Sequence, residues 1–140
     1  MNQLISGTKF LPAVTVTAGA AGSTDITGTV IDTASFEGVA FIVQLGAIVS
    51  GAVTSIKVQE CATSGGTFTD VSGATLTIAD TDDEDIKVID YRRPSQRYVL
   101  LYVDRATQNA TLTAIAALYG SRDKIVTQVA ASTVVVGVSG

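Results

Sequence analysis

Apolar and polar residues alternate along most of this chain, at the period of two that marks half-buried strands. Within 53–61, Ile56 and Val58 fall on one side and Lys57 and Gln59 on the other. Within 74–79, Leu76 and Ile78 oppose Thr75 and Thr77. Within 85–91, Ile86, Val88 and Asp90 oppose Lys87, Ile89 and Tyr91. Residues 26–32 set Ile26, Gly28 and Val30 against Thr27, Thr29 and Ile31. Two runs break the alternation: Val39-Ala40-Phe41-Ile42-Val43 within 38–46, and Tyr98-Val99-Leu100-Leu101-Tyr102-Val103 within 97–104. Continuous apolar runs of this length suit strands covered on both faces. Segments 10–17, 67–71 and 111–119 bring the total to about nine strands. Pro12 places the first at a sheet edge, because it cannot donate to a ladder. Turn residues 64–66 fold 67–71 back onto 53–61 as a hairpin. The only helical signal is short, over 121–130, with Ser121 as N-cap and Ile125 and Val129 four apart. The pattern predicts an all-β antiparallel β-sandwich, jelly-roll or Ig-like, over 10–120, with extended arms at 1–9 and 121–140.

Composition then narrows the chemistry. The chain has 140 residues, 46% hydrophobic and 16% charged, which suits one folded domain and excludes a disordered one. It has no His, the commonest general base and metal ligand. One cysteine, Cys61, excludes an intrachain disulfide and a thiolate zinc site. A formal charge of −4 argues against binding nucleic acid through a basic surface. No window is long and apolar enough to span a bilayer, and the first residues lack the pattern of a signal peptide. No membrane, nucleic acid or cofactor is therefore expected.

Several motifs carry possible chemistry. Asp32-Thr33-Ala34 is near the Asp-Thr-Gly of aspartic proteases, whose paired carboxyls share a proton. Ala34 stands where Gly is needed, so Asp32 reads as a turn residue. The run 80–85, Asp-Thr-Asp-Asp-Glu-Asp, has the carboxylate density of a calcium loop. It lacks the sixth-position Gly and twelfth-position Glu, so weak calcium binding stays open and a solvated loop is expected. The stretch 91–98 mixes Tyr91 and Tyr98 with Arg92, Arg93 and Arg97, as single-stranded nucleic-acid sites do. An inter-strand turn whose arginines pair with carboxylates is the expectation. Glu60 lies in phase with Ile56 and Val58, points inward, and needs a partner; Arg97 is the candidate for a structural ion pair. Glu37 and Glu60 are the carboxylates left for a glycosidase pair, with nothing to bring them together. No phosphate loop is present, and the sequon at Asn109 carries no weight without a secretion signal. The expectation is that the protein is not an enzyme.

Ile56-Lys57-Val58-Gln59-Glu60-Cys61-Ala62, Gly65-Gly66-Thr67-Phe68-Thr69-Asp70-Val71 and Arg97-Tyr98-Val99 together resemble a group of small virion proteins of tailed bacteriophages. The likeness covers roughly 26–120 and departs at Cys61, where Ser is usual. It implies a structural protein of the phage head, a decoration or cement protein made in the host cytoplasm and carried on the outer surface of the virion. It transfers no active site. The implied partners are the major capsid protein and sister copies, with a trimer at a threefold position as the expected state.

The flanks point the same way on physical grounds. Ile125, Val126, Val129, Val134, Val135, Val136 and Val138 crowd the tail. Exposed strand-forming apolar segments aggregate unless they are paired. An assembly protein resolves this by lending the segment to a neighbour, so these seven residues are the expected partner contacts. The alternative is a glycan-binding sandwich of a tail or head fibre.

Overall fold

Branched residues and period-two alternation do build strands. The computed structural model describes residues 4–122, and all structural statements concern these. A helical turn, α1 (Leu4–Gly7), precedes β1 (Lys9–Val14), β2 (Ile26–Thr27), β3 (Ile31–Asp32), β4 (Gly38–Ile48), β5 (Val53–Cys61), β6 (Thr69–Ile78), β7 (Ile86–Arg92), β8 (Tyr98–Ala106) and β9 (Ala110–Tyr119). One sheet runs in the order β1-β9-β4-β7. The other runs β2-β8-β5-β6, with β3 also on β8. Every pairing is antiparallel.

β2 and β3 act as one interrupted strand. Counted so, the first strand pairs with the last, the second with the second-last, and so on inward to the β5–β6 hairpin. A long hairpin rolled into two facing sheets is a jelly roll. The structure thus selects one of the two sandwich types that the pattern allows.

The inner faces supply the core. Phe41, Val39, Val43 and Leu45 of β4 meet Ile56 and Val58 of β5, Val99, Leu101 and Val103 of β8, and Leu112, Ala116 and Leu118 of β9. Each large side chain so buried gains about 1.5–3 kcal/mol over an exposed one.

Three expectations change. Segment 26–32 is two short strands, not one. Between them Gly28 N–H donates to Leu101 O at 2.9 Å and Thr29 N–H to Ala13 O at 2.9 Å, so the chain bonds to both sheets. A Cβ on Gly28 would stand 2.4 Å from Leu101 O, so only glycine fits. Segments 67–71 and 74–79 are one strand, β6, which passes through Gly73 at φ +81° and shifts register against β5. The N-terminal arm is not wholly extended: it contains α1, and Lys9 already belongs to β1. Pro12 does lie in the edge strand β1.

Near the end of β8, Arg105 is only 6% exposed. Its guanidinium donates to Thr24 O at 2.7 Å and to Ala20 O and Ala110 O at 2.8 Å, while its N–H donates to Asp25 Oδ1 at 2.9 Å. Burial pulls its pKa down and nearby Asp25 opposes this. The cation pins the glycine-rich loop 15–25 across that end of the sandwich. At the opposite end, Gly120 takes a φ of +65° and Arg122 N–H donates to Ser35 O at 2.9 Å. Ser121 and Arg122 thus belong with the folded body. Ile125, Val126, Val129, Val134, Val135, Val136 and Val138 lie outside the described residues, and so does most of the helix expected over 121–130.

Candidate functional site

The end of the sandwich where β3 leads to β4 and β7 leads to β8 carries a cleft of about 650 Å³. It is lined by Thr33, Phe36 and Glu37 from the first loop, by 93–97 from the second, and by Gly120 and Arg122. Ser35 and Arg93 hold positive φ values of 70° and 52° around it. Non-glycine residues seldom adopt that region, and such strain gathers at binding sites and switch regions.

Of the three arginines of 91–98, Arg92 and Arg97 pair with carboxylates, as the inter-strand-turn expectation has it, and Arg93 does not. Arg92 donates from Nε and Nη2 to Glu37 Oε1 at 3.0 and 2.8 Å. Arg97 is bidentate to Asp32, 2.9 Å on both oxygens, and lies over the Tyr98 ring at 5.1 Å. Arg92 holds the Glu37 carboxyl below its ordinary value, and Arg97 does the same for Asp32. Asp32 also accepts from Ala34 N–H at 3.0 Å, the turn contact expected of it. A protease carboxyl must share a proton; a bidentate guanidinium favours the opposite state.

The structure does not bring Glu60 and Arg97 together as an ion pair. Glu60 Oε2 accepts from Tyr91 Oη at 2.6 Å and from Gln96 N–H at 3.2 Å. The reason is register. β8 lies between β3 and β5, and Tyr98 pairs with Asp32 on one side and Cys61 on the other. Arg97 turns to the outward carboxylate, and the inward one finds a neutral donor across the sandwich.

Arg93 and Arg122 make no ion pair among the described residues. Both lie close enough to Glu37 to lower its pKa further. Nothing in the sequence brings Arg122 to the same cleft as Arg93; the left-handed Gly120 and the bond from Arg122 N–H to Ser35 O do so.

The acidic loop occupies the opposite end. Asp80 accepts from Gly51 N–H at 2.7 Å, Asp82 from Ala79 N–H at 2.8 Å and Asp83 from Ile48 N–H at 2.8 Å. Lys87 reaches Asp82 at 3.3 Å and Asp85 at 3.7 Å. Its carboxylates cap backbone, and among the described residues no three metal-ligating side chains converge.

The two outer sheet faces differ sharply. Across β1-β9-β4-β7, one row in register is Pro12, Ile115, Ile42 and Val88. Val88 is 51% and Ile115 45% exposed, and Ile86 in the next row is 61%. A shallow groove of about 250 Å³ runs there between Ile42, Ile86 and Ile115. The apolar run 39–43 is thus covered on its inner face only, among the described residues. Across β2-β8-β5-β6, the equivalent row is Thr27, Tyr102, Lys57 and Thr75. There Lys57 bridges Asp70 at 3.1 Å and Asp104 at 3.5 Å over the Tyr102 ring, and Tyr102 donates to Asp25 at 3.0 Å.

No family model and no curated protein matches the chain. Among solved structures, the SPBc2 prophage-derived protein YomS shares the fold at a TM-score of 0.51 and 13% identity. The match covers 84% of this chain and 98% of that one.

Proposed function

We propose that this chain is a structural virion protein of a tailed phage, which attaches to the head shell as a homo-oligomer and staples neighbouring major capsid subunits. The observation that carries the reading is the row Pro12–Ile115–Ile42–Val88, an apolar strip that runs across four strands and is left uncovered among the described residues. Exposed contiguous apolar surface marks protein–protein contact. The fold shared with a prophage-derived protein and the phage-like motifs of 56–71 and 97–99 support the source. Jelly rolls also serve as lectin domains, and the polar cleft keeps a glycan-binding fibre module as the second reading. A glycan array with a specific hit displaced by changes at Thr33 or Gln96 would favour it.

The test is deletion of 123–140. Ser121 and Arg122 are spared because Arg122 closes onto Ser35. The shortened chain should stay folded and soluble by circular dichroism but lose oligomer formation, shell attachment or both. Decoration of shells at full affinity by the shortened chain would overturn the role given to the tail.

A further inference from the structure

Among the described residues the two ends of the sandwich carry opposite charge, and the strands fix how far apart they are. β9 spans ten residues between the ends, about 30 Å at 3.4 Å per residue. That exceeds the Debye length of about 8–10 Å near physiological salt, so an approaching molecule meets each end separately. At the cleft end Arg92 and Arg97 are matched by Glu37 and Asp32, and Glu60 lies bonded to Tyr91 and Gln96. Arg93 and Arg122 also line the cleft and make no ion pair among the described residues. At the other end Asp80, Asp82, Asp83, Glu84 and Asp85 face Lys87 alone within their loop. Backbone amides hold three of those carboxylates in place. Glu84, at a φ of +63°, is fixed through its backbone, its carbonyl accepting from Gln44 Nε2 at 3.0 Å, while its exposed carboxylate makes no hydrogen bond or ion pair among the described residues.

We propose that the Arg93–Arg122 cleft is a carboxylate-binding site whose occupant is the acidic loop 80–85 of a second copy, so that copies associate head to tail. A guanidinium pair in a walled cleft suits carboxylates offered from a rigid turn. The contact is heterologous: it closes into a ring or runs on as a filament according to the rotation between copies. This deepens the homo-oligomer reading but uses neither the tail nor the apolar face, so each can fail separately.

The experiment is sedimentation velocity of the full chain at 50 mM and 500 mM salt, with two charge-reversed variants. R93E/R122E keeps a non-glycine residue at position 93 and leaves the Asp32 and Glu37 pairs untouched. E84K/D85K spares the three capping aspartates. The wild type should self-associate at low salt and weaken roughly tenfold or more at high salt. Each variant alone should lose association at least tenfold, and an equimolar mixture of the two should regain it, since each reversed end then meets its complement. Circular dichroism confirms that both variants fold. Undiminished, salt-insensitive association of R93E/R122E would overturn the head-to-tail contact while leaving the tail-mediated oligomer standing. So would failure of the mixture to recover, and so would a wild type that binds citrate or sulfate in the cleft yet stays monomeric at low salt.

Discussion

The two sheets of this jelly roll share one core and turn opposite surfaces outward. On β2-β8-β5-β6 the central outward row is Thr27, Tyr102, Lys57 and Thr75, satisfied by its own neighbours. On β1-β9-β4-β7 the corresponding row is Pro12, Ile115, Ile42 and Val88. An antiparallel sheet can keep one face in water when that face is polar. The first sheet meets that condition and the second does not. The difference is what the proposed function builds on: one face is satisfied by its own neighbours, and the other is the contact surface that the proposal calls for.

The sharpest way to break the comparison uses two residues that differ in the face they serve. Phe41 is fully buried and Ile115 is 45% exposed, in strands that pair with each other. Phe41→Ala should cost about 3–5 kcal/mol in urea unfolding. Ile115→Thr keeps a branched strand former and should change monomer stability by less than about 1 kcal/mol, yet reduce shell attachment strongly. If Ile115→Thr destabilises as Phe41→Ala does, the outer face is a second core and not a contact surface.

On the polar sheet the effect is smaller. Lys57→Met removes the bridge to Asp70 and Asp104 and keeps the stem over the Tyr102 ring. The hydrogen bond that Lys57 donates to Asp70 holds the Lys57 pKa above its ordinary value. Exposed bridges contribute little even so, and the loss should be below about 1 kcal/mol, shrinking further in high salt. Shell attachment should be unchanged. Loss of attachment in this variant would move the contact surface to the other sheet.

Much of this arrangement was legible in the residues, and the failures have physical causes. Alternation located β5, β7 and β9 because one face of each is wet or facing the core in strict turn. The split at Gly28 and the fusion through Gly73 were not legible. Both depend on where a neighbouring backbone lies, not on side-chain pattern. Phase turns Glu60 inward, where it needs a partner, but does not say which side chain meets it from the facing sheet, and Tyr91 does so in place of Arg97. Arg105 carried a usable signal: it falls in phase with the buried Val99, Leu101 and Val103. The phase that turns Glu60 inward turns Arg105 inward as well, to the carbonyls of the loop 15–25 that it pins. The cleft was hidden because its walls come from 33–37, 93–97 and 120–122, which only the rolled topology brings together.

The smallest expected effect concerns Asp32, at the seam between the polar sheet and the cleft. The hydrogen bonds from Arg97 are the largest influence on its carboxyl, and they hold its pKa below the ordinary 3.8. A carboxyl depressed in the folded state stabilises the fold above its unfolded pKa, and that contribution is lost as pH falls through the folded value. Asp32→Asn should therefore leave stability at neutral pH slightly lower and flatten the fall in stability below about pH 4. The residual fall belongs to the other depressed carboxyls: Glu37 through Arg92, Asp25 through the Arg105 N–H, Asp70 through Gln59 and Asp82 through the Ala79 N–H. The side chains of both Asp32 and Arg97 are largely exposed, at 45% and 55%, so the pair is a weak brace and not a keystone. Shell attachment and self-association should survive the substitution. Disappearance of a peptidase activity in Asp32→Asn would show instead that this carboxylate does chemistry, and the polar side of the molecule would then need a function of its own.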